Sequence, residues 1–159
     1  MAGATRPSED VILDQMSYIF SLDGSISENE NAQLEEIKAQ IEKVKDPRLS
    51  VSTPSKDLPL GISSGYWLAL RGYYPPEVAK DLKQPILIIQ GERDYQVTME
   101  DFQGWKKTLS SRSNVAFKTY PKLNHLFIEG KGKSVPSEYQ AAGHVAEIVI
   151  DDIAQWVKR

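Results

Sequence analysis

An acidic residue and a histidine each follow a predicted strand in the second half of this sequence. Residues 86–89 are four consecutive branched aliphatic residues, and Asp94 comes shortly after them, beyond a glycine. Residues 114–120 predict the next strand, and His125 follows it directly. A carboxylate can orient an imidazole and stabilise its protonated form, while the imidazole takes a proton from a nucleophile and returns it to a leaving group. Asp94 and His125 therefore predict the second and third members of a hydrolytic triad. The alternative is a structural role for each, with His125 a core residue bonded to a backbone carbonyl and Asp94 an acid stabilised by the dipole at a helix start.

The elements that must position these two side chains form a parallel α/β unit. Residues 86–89 lack polar alternation, which is typical of a strand buried on both faces of a parallel sheet. Thr98 and Asp101 predict the capped start of a helix that runs to about Leu109, between the two strands. Parallel strands end at the same edge of a sheet, so Asp94 and His125 are expected in one crevice. A last helix, over about residues 144–158, should cover the sheet with one apolar face formed by Val145, Val149, Ile153 and Trp156.

The first third of the chain predicts a helical hairpin. One amphipathic helix is expected over residues 8–22, and a second over residues 28–45, opened by a capping box of Ser27 and Glu30. The second helix carries a narrow apolar seam of Leu34, Ile37, Ile41 and Val44. Residues 46–66 contain several prolines and serines and predict an irregular connection.

Composition excludes several classes of function. The formal net charge is −3 and the pI is about 5.5, which gives no electrostatic basis for binding nucleic acid. The chain has no cysteine, no apolar N-terminal signal and no apolar stretch near the roughly 20 residues that a membrane span needs. Asp23 begins a partial copy of a calcium loop, but the loop's first acidic position is occupied by Ile19. We therefore expect no metal, no cofactor and no membrane span, and the compartment is unknown.

A candidate nucleophile lies in the irregular connection. Residues 61–65, Gly-Ile-Ser-Ser-Gly, match the letters of the Gly-x-Ser-x-Gly nucleophile elbow and place Ser63 at its centre. The elbow requires a buried strand just before it, whereas residues 55–60 are polar and contain a proline. We therefore expect Ser63 to lie in a loop and expect no nucleophile within this chain; the alternative, Ser63 as the nucleophile of a minimal hydrolase, is testable by substitution.

The motifs around the acid and the histidine resemble those of the α/β-hydrolase superfamily. Residues 91–97, Gly-Glu-Arg-Asp-Tyr-Gln-Val, resemble its Gly-x-x-Asp-x-x-Val acid segment, and residues 123–127, Leu-Asn-His-Leu-Phe, resemble its histidine loop. The chain is similar to esterases related to dienelactone hydrolases and to bile-acid-CoA acyltransferase-like hydrolases, some of which carry a helical lid. This resemblance implies that Asp94 is the triad acid, that His125 is the general base, and that the substrate is a small ester or thioester.

The resemblance also implies a partial α/β-hydrolase fold. Residues 1–50 correspond to a helical lid, residues 51–83 to a connection with a short helix, and residues 84–159 to the C-terminal part of the hydrolase core. The family's serine, oxyanion-hole amides and first strands lie upstream of such a segment, so we expect a fragment that is inactive alone. Open strand edges should then pair with the missing half or with a second copy. The alternative is a non-catalytic interaction module derived from a hydrolase.

Overall fold

A computed structural model describes residues 3–158, which form two compact units. One unit comprises residues 3–5 and 75–158, and the other comprises residues 6–74. The helices and strands are α1 (Ser8–Phe20), α2 (Glu28–Lys45), α3 (Ser64–Leu70), α4 (Pro75–Ala79), β1 (Ile86–Gly91), α5 (Met99–Leu109), β2 (Val115–Tyr120) and α6 (Glu147–Val157). Single 3-10 turns occur at Ser55–Asp57, Pro59–Gly61 and Pro136–Gln140. Within the described residues, no helix combines the length and the apolar character that crossing a bilayer requires.

The larger unit is built on the predicted strand–helix–strand segment. Strands β1 and β2 pair in parallel, with Ile86 opposite Val115 and Gly91 opposite Tyr120, and α5 connects them. The α/β class expected from the sequence is confirmed, and the arrangement agrees with part of an α/β-hydrolase fold. Because the two strands end in register, the turns that follow Gly91 and Tyr120 emerge side by side.

Strand β1 is buried from both faces, as its uninterrupted aliphatic run predicts. On one face, Ile89 and Leu87 pack in a cluster with Tyr120, Leu123, Phe127, Ala146 and Val149. On the other face, Ile86 and Ile88 pack in a cluster with Ala79, Met99, Phe102, Trp105, Leu109, Val115 and Phe117. Alternate side chains of the strand thus enter two separate cores, which explains why the run carries no polar alternation.

The last helix differs from its prediction in its start and in its buried face. The backbone N–H of Ala146 donates to the carbonyl of Phe127 at 2.9 Å, and its ψ of 134° is not helical, so the helix begins at Glu147. Val149 is fully buried, as predicted, but Val145 and Ile153 are exposed. The helix is apolar on more than one side, and Ile148, Ile150 and Val157 are also exposed.

The start of α5 is held differently from the predicted capping pair. Thr98 caps the helix by accepting from the backbone N–H of Glu100 at 3.3 Å. The Asp101 carboxylate instead accepts from the backbone N–H of Thr5 at 2.8 Å and is fully buried. The indole of Trp105 donates to the carbonyl of Gly3 at 2.7 Å, so residues 3–5 are bound along this helix.

The second unit contains the predicted helical hairpin. The capping box is present, because Ser27 Oγ accepts from the backbone N–H of Glu30 and the Glu30 carboxylate accepts from that of Ser27. The seam of α2 is buried as predicted, with Leu34, Ile37, Ile41 and Val44 inside. Lys45 and Asp10 form an ion pair at 2.7 Å between the two helices of the hairpin. The core of this unit continues through Val44, Leu49, Leu58 and Trp67.

Candidate active site

The turn after β1 fixes the Asp94 carboxylate in a buried position. Its Oδ1 atom accepts from the backbone N–H groups of Gln96 at 2.8 Å and Val97 at 3.1 Å. An aspartate that bonds to the backbone two and three residues ahead closes the turn around its own side chain. The carboxylate is therefore held by the backbone on one oxygen, and its other oxygen is directed elsewhere.

Gln90 binds the same turn from the end of β1. Its side-chain amide lies 2.9 Å from the carbonyl of Gly91, 2.8 Å from that of Val97 and 3.3 Å from Asp94 Oδ2. Gln90 is almost fully buried, so this amide ties the acid turn to the strand without help from solvent. Gln90 was not predicted as a site residue, although a polar side chain at the end of an aliphatic strand was a usable signal.

The imidazole of His125 meets the second oxygen of Asp94. The distance from His125 Nδ1 to Asp94 Oδ2 is 2.8 Å, and the carboxylate must be the acceptor in this bond. The histidine side chain is 29% exposed and the aspartate side chain is fully buried. The hydrogen bond with Asp94 raises the pKa of His125 above its ordinary value of 6.5; burial opposes this rise, and the charge of Asp94 adds to it.

The histidine turn is held by the residue before it. Asn124 is fully buried, and its Oδ1 accepts from the backbone N–H groups of Leu126 at 3.0 Å and Ile128 at 3.1 Å. The backbone N–H of His125 donates to the hydroxyl of Tyr139 at 3.4 Å. Phe127, also in this turn, has a φ of 57°, in the left-handed region that non-glycine residues seldom occupy. Asn124 and Tyr139 were not recognised as site residues from sequence.

The two turns touch through Gly91. A Cβ atom at this position would lie 2.5 Å from the carbonyl oxygen of Asn124 and closer still to that of Leu123. The backbone N–H of Arg93 also donates to the carbonyl of Leu123 at 3.1 Å. The acid motif therefore needs its glycine for close backbone approach and not for an unusual dihedral angle.

The segment of residues 130–140 packs against the acid turn through Arg93. This arginine is buried, and its guanidinium donates to the carbonyls of Gly132 at 2.6 Å and Lys131 at 3.2 Å. It also pairs with the Glu138 carboxylate at 2.5 Å. In the other direction, the backbone N–H and hydroxyl of Ser134 donate to the Arg93 carbonyl at 2.9 Å and 2.8 Å.

Ser63 lies in a local structure unlike a nucleophile elbow. It is exposed and directly precedes α3, and what comes before it is the 3-10 turn Pro59–Gly61 instead of a strand. Its φ of −62° and ψ of 146° are ordinary extended values, whereas an elbow serine sits in a strained turn. The sequence-based expectation of a loop position agrees with this geometry, and the absence of a nucleophilic role stays a prediction.

No set of three or more histidine, aspartate or glutamate side chains that could hold a metal ion occurs among residues 3–158. The structure does bring together Asp94 and His125, the acid and the base predicted from the sequence. This pair can polarise a hydroxyl and carry its proton, which is the acid–base half of nucleophilic catalysis.

Comparison with known proteins relates this arrangement to a family. The chain is 41% identical over 157 residues to Esterase EstD of Thermotoga maritima. The match covers 99% of this chain and 36% of the esterase, so the chain spans about a third of the length of this curated relative. No solved structure matches the chain. Residues 69–159, which include Asp94 and His125, match the dienelactone hydrolase family, and the chain belongs to that family.

Proposed function

We propose that this chain supplies the acid and the general base of a serine hydrolase that cleaves small esters or thioesters. The observation that carries the proposal is the 2.8 Å bond between His125 Nδ1 and the buried carboxylate of Asp94. Because Nδ1 is engaged, the other ring nitrogen, Nε2, is the atom that can accept a proton from a nucleophile. Family membership and the identity to an esterase support this chemistry.

In the proposed reaction, His125 Nε2 takes the proton of a serine hydroxyl as the serine oxygen attacks the ester carbonyl. The imidazolium that forms is stabilised by Asp94, which stays ionised. The imidazolium then gives its proton to the departing alcohol or thiol, and an acyl-serine remains. Water repeats the cycle: His125 accepts a proton from it, the new oxygen attacks the acyl group, and the serine recovers its hydrogen as the acid is released.

We propose that the serine belongs to a part of the hydrolase outside these 159 residues. Support comes from the 36% coverage of the related esterase and from the ordinary backbone of Ser63. In this proposal, α1 and α2 correspond to the lid, and the substrate reaches the site with no cofactor.

A chimeric enzyme tests the assignment of the acid and the base. This chain would replace the matching segment of Esterase EstD, and hydrolysis of p-nitrophenyl esters would be followed. Asp94→Asn and His125→Ala should each lower kcat by about 10³- to 10⁴-fold, as expected for loss of a triad member. The matched controls Asp81→Asn and His144→Ala change exposed side chains and should leave kcat within about twofold. An active chimera that tolerates Asp94→Asn and His125→Ala would refute the proposed roles.

Labelling of the 159-residue chain alone tests the location of the nucleophile. A fluorophosphonate should give no adduct by intact mass, and ester turnover should be absent. A one-to-one adduct that disappears in Ser63→Ala would instead place the nucleophile in this chain.

A second candidate function is a non-catalytic module that acts by association. It is favoured by the exposed apolar side chains of α6, among them Ile150 at 56% and Val157 at 69%. Within the described residues, the sheet has two strands, so β1 and β2 each have one unpaired edge. We propose that in such a module these features pair with a second copy of the chain, whereas in the hydrolase of the first proposal they would pair with its remaining part. Light scattering should give a mass above that of a monomer, and Ile150→Lys should reduce it; a wild-type chain that is monodisperse at monomer mass would contradict association.

A further inference from the structure

One carboxylate reaches the residues that immediately precede both the candidate acid and the candidate base. Glu138 Oε1 accepts from Nη2 of Arg93 at 2.5 Å, and Arg93 is the residue before Asp94. Glu138 Oε2 accepts from the side-chain amide of Asn124 at 3.4 Å, and Asn124 is the residue before His125. The two oxygens of a single side chain thus bind the acid turn and the histidine turn separately.

The structure gives each half of this bridge a defined orientation. The Asn124 amide cannot rotate freely, because its oxygen already accepts two backbone N–H groups of the histidine turn. Its nitrogen therefore lies on the other side of the amide, toward Glu138. The Arg93 guanidinium is likewise fixed by the carbonyls of Gly132 and Lys131, and its planar fork leaves an N–H directed at the carboxylate.

Glu138 is itself placed by the 3-10 turn Pro136–Gln140. Its backbone N–H donates to the carbonyl of Val135 at 3.0 Å. The next residue, Tyr139, accepts from the backbone N–H of His125 at 3.4 Å and lies 3.2 Å from the hydroxyl of Ser134. Ser134 in turn donates to the carbonyl of Arg93. Two consecutive side chains of this turn therefore reach the histidine turn, and Ser134 links the second of them back to the acid turn.

We propose that Glu138 is a positioning residue that sets the spacing between the Asp94 turn and the His125 turn. This inference rests on the proposed function for its catalytic meaning, since neither Glu138 nor its partners touches a reacting atom. Direct contact between the turns already exists at Gly91 and Leu123, close to the sheet. Glu138 adds a connection farther from the sheet, beside the one that runs through Tyr139 and Ser134, and it is a single side chain that binds both turns.

Two substitutions separate the roles of the two oxygens. Glu138→Ala removes both. Glu138→Gln keeps one oxygen for the Arg93 guanidinium but presents its NH₂ group to the NH₂ group of Asn124, so only the histidine turn is released. The matched control is Glu147→Gln, which changes an exposed glutamate of the same unit.

Hydrogen exchange on the 159-residue chain measures the protection of the backbone amides in each turn separately. In Glu138→Ala, exchange should rise about tenfold or more at the amides of Leu126 and Ile128 and at those of Gln96 and Val97. In Glu138→Gln, the rise should be confined to Leu126 and Ile128. Should Glu138→Ala fail to fold, Glu138→Gln alone decides, because unchanged exchange in the histidine turn would overturn the proposal. Loss of protection restricted to residues 130–140 would also overturn it.

Titration of His125 by NMR distinguishes positioning from a contribution to stability alone. The chain has two histidines, so the ring signals of His125 and His144 can be assigned and compared within one sample. A weakened bond to Asp94 should lower the pKa of His125, more in Glu138→Ala than in Glu138→Gln. Both variants remove the charge of Glu138. If the pKa of His125 responded to that charge alone, the two pKa shifts would be equal and added salt would reduce them. Equal shifts, or no shift with only a lower unfolding midpoint, would overturn the proposal.

These readouts do not require ester hydrolysis, so the two proposals can fail separately. If Glu138→Ala left both the pKa of His125 and the kcat of an active chimera unchanged, the positioning role would be refuted and the proposed function would stand. A chimera that tolerates loss of Asp94 and His125, combined with the expected exchange pattern, would refute the proposed function and leave the bridge between the turns established.

Discussion

Replacing Gly91 by alanine should separate the two turns of the candidate site. The new Cβ would lie 2.5 Å from the carbonyl oxygen of Asn124, and real Cβ atoms essentially never approach other atoms within 3.0 Å. The obstructing atoms belong to the backbone, so no side-chain rotation relieves the clash. The histidine turn must move by at least about 0.5 Å, and a shift of that size along the 2.8 Å bond between His125 and Asp94 would lengthen it to about 3.3 Å and weaken it.

The expected effects of Gly91→Ala are a loss of stability and a loss of the His125–Asp94 interaction. Overpacking against backbone typically costs about 1–3 kcal/mol, which urea unfolding monitored by circular dichroism would detect. The pKa of His125 should fall, and in the chimera kcat should drop. Gly65→Ala is the control: this glycine lies in α3 with open space around it, and alanine should stabilise the chain by about 0.5–1 kcal/mol. If Gly91→Ala had the same urea midpoint of unfolding as the wild type and the same pKa of His125, the close approach of the two turns would be refuted.

Two further predictions concern pH and helix capping. The pKa of His125 is raised in the folded state, so its bond to Asp94 contributes stability that is fully present below the unfolded pKa, about 6.5, and is lost as pH rises through the folded pKa. Asp94→Asn should remove this decline of the unfolding free energy with pH; a slope unchanged by the substitution would contradict the assignment. Ser27→Ala should destabilise the chain by about 1 kcal/mol in urea unfolding, because Ser27 caps α2. Ser25→Ala, at an exposed position two residues earlier, should have little effect, and equal losses in both variants would argue against the cap.

Sequence pattern was sufficient where burial follows from local periodicity. The aliphatic run at residues 86–89 predicts a strand with two buried faces, and the two clusters around Ile88 and Ile89 show why. The seam of α2 and the capping box at Ser27 are likewise local features, each determined by residues three or four apart. The proximity of Asp94 and His125 followed from one further rule, that neighbouring parallel strands end at the same edge.

Sequence pattern was insufficient where a side chain acts through a distant loop. Glu138 lies 45 residues after Arg93, just beyond the glycine- and lysine-rich residues 130–136, and no sequence motif marks it. For Gln90 the sequence offers a polar side chain at the end of an aliphatic strand, but not the backbone carbonyls of Gly91 and Val97 that its amide binds. The exposed Ile153 of α6 was misplaced because helical periodicity identifies apolar positions but does not decide which of them a two-stranded sheet covers.

The left-handed residue of the histidine turn links the turn to the hydrophobic core. Phe127 adopts a φ that glycine or asparagine would adopt more easily, yet its ring is buried against Tyr120, with ring centroids 6.0 Å apart, and joins the cluster around Val149. Glycine there would relax the backbone but empty part of the core, and any other large residue would keep the strain. The histidine loop is therefore a poor target for loop grafting or random insertion. Variants that alter its length should be recovered only together with compensating changes inside the core, so active-site engineering in this scaffold would have to begin with the residues beneath the loop.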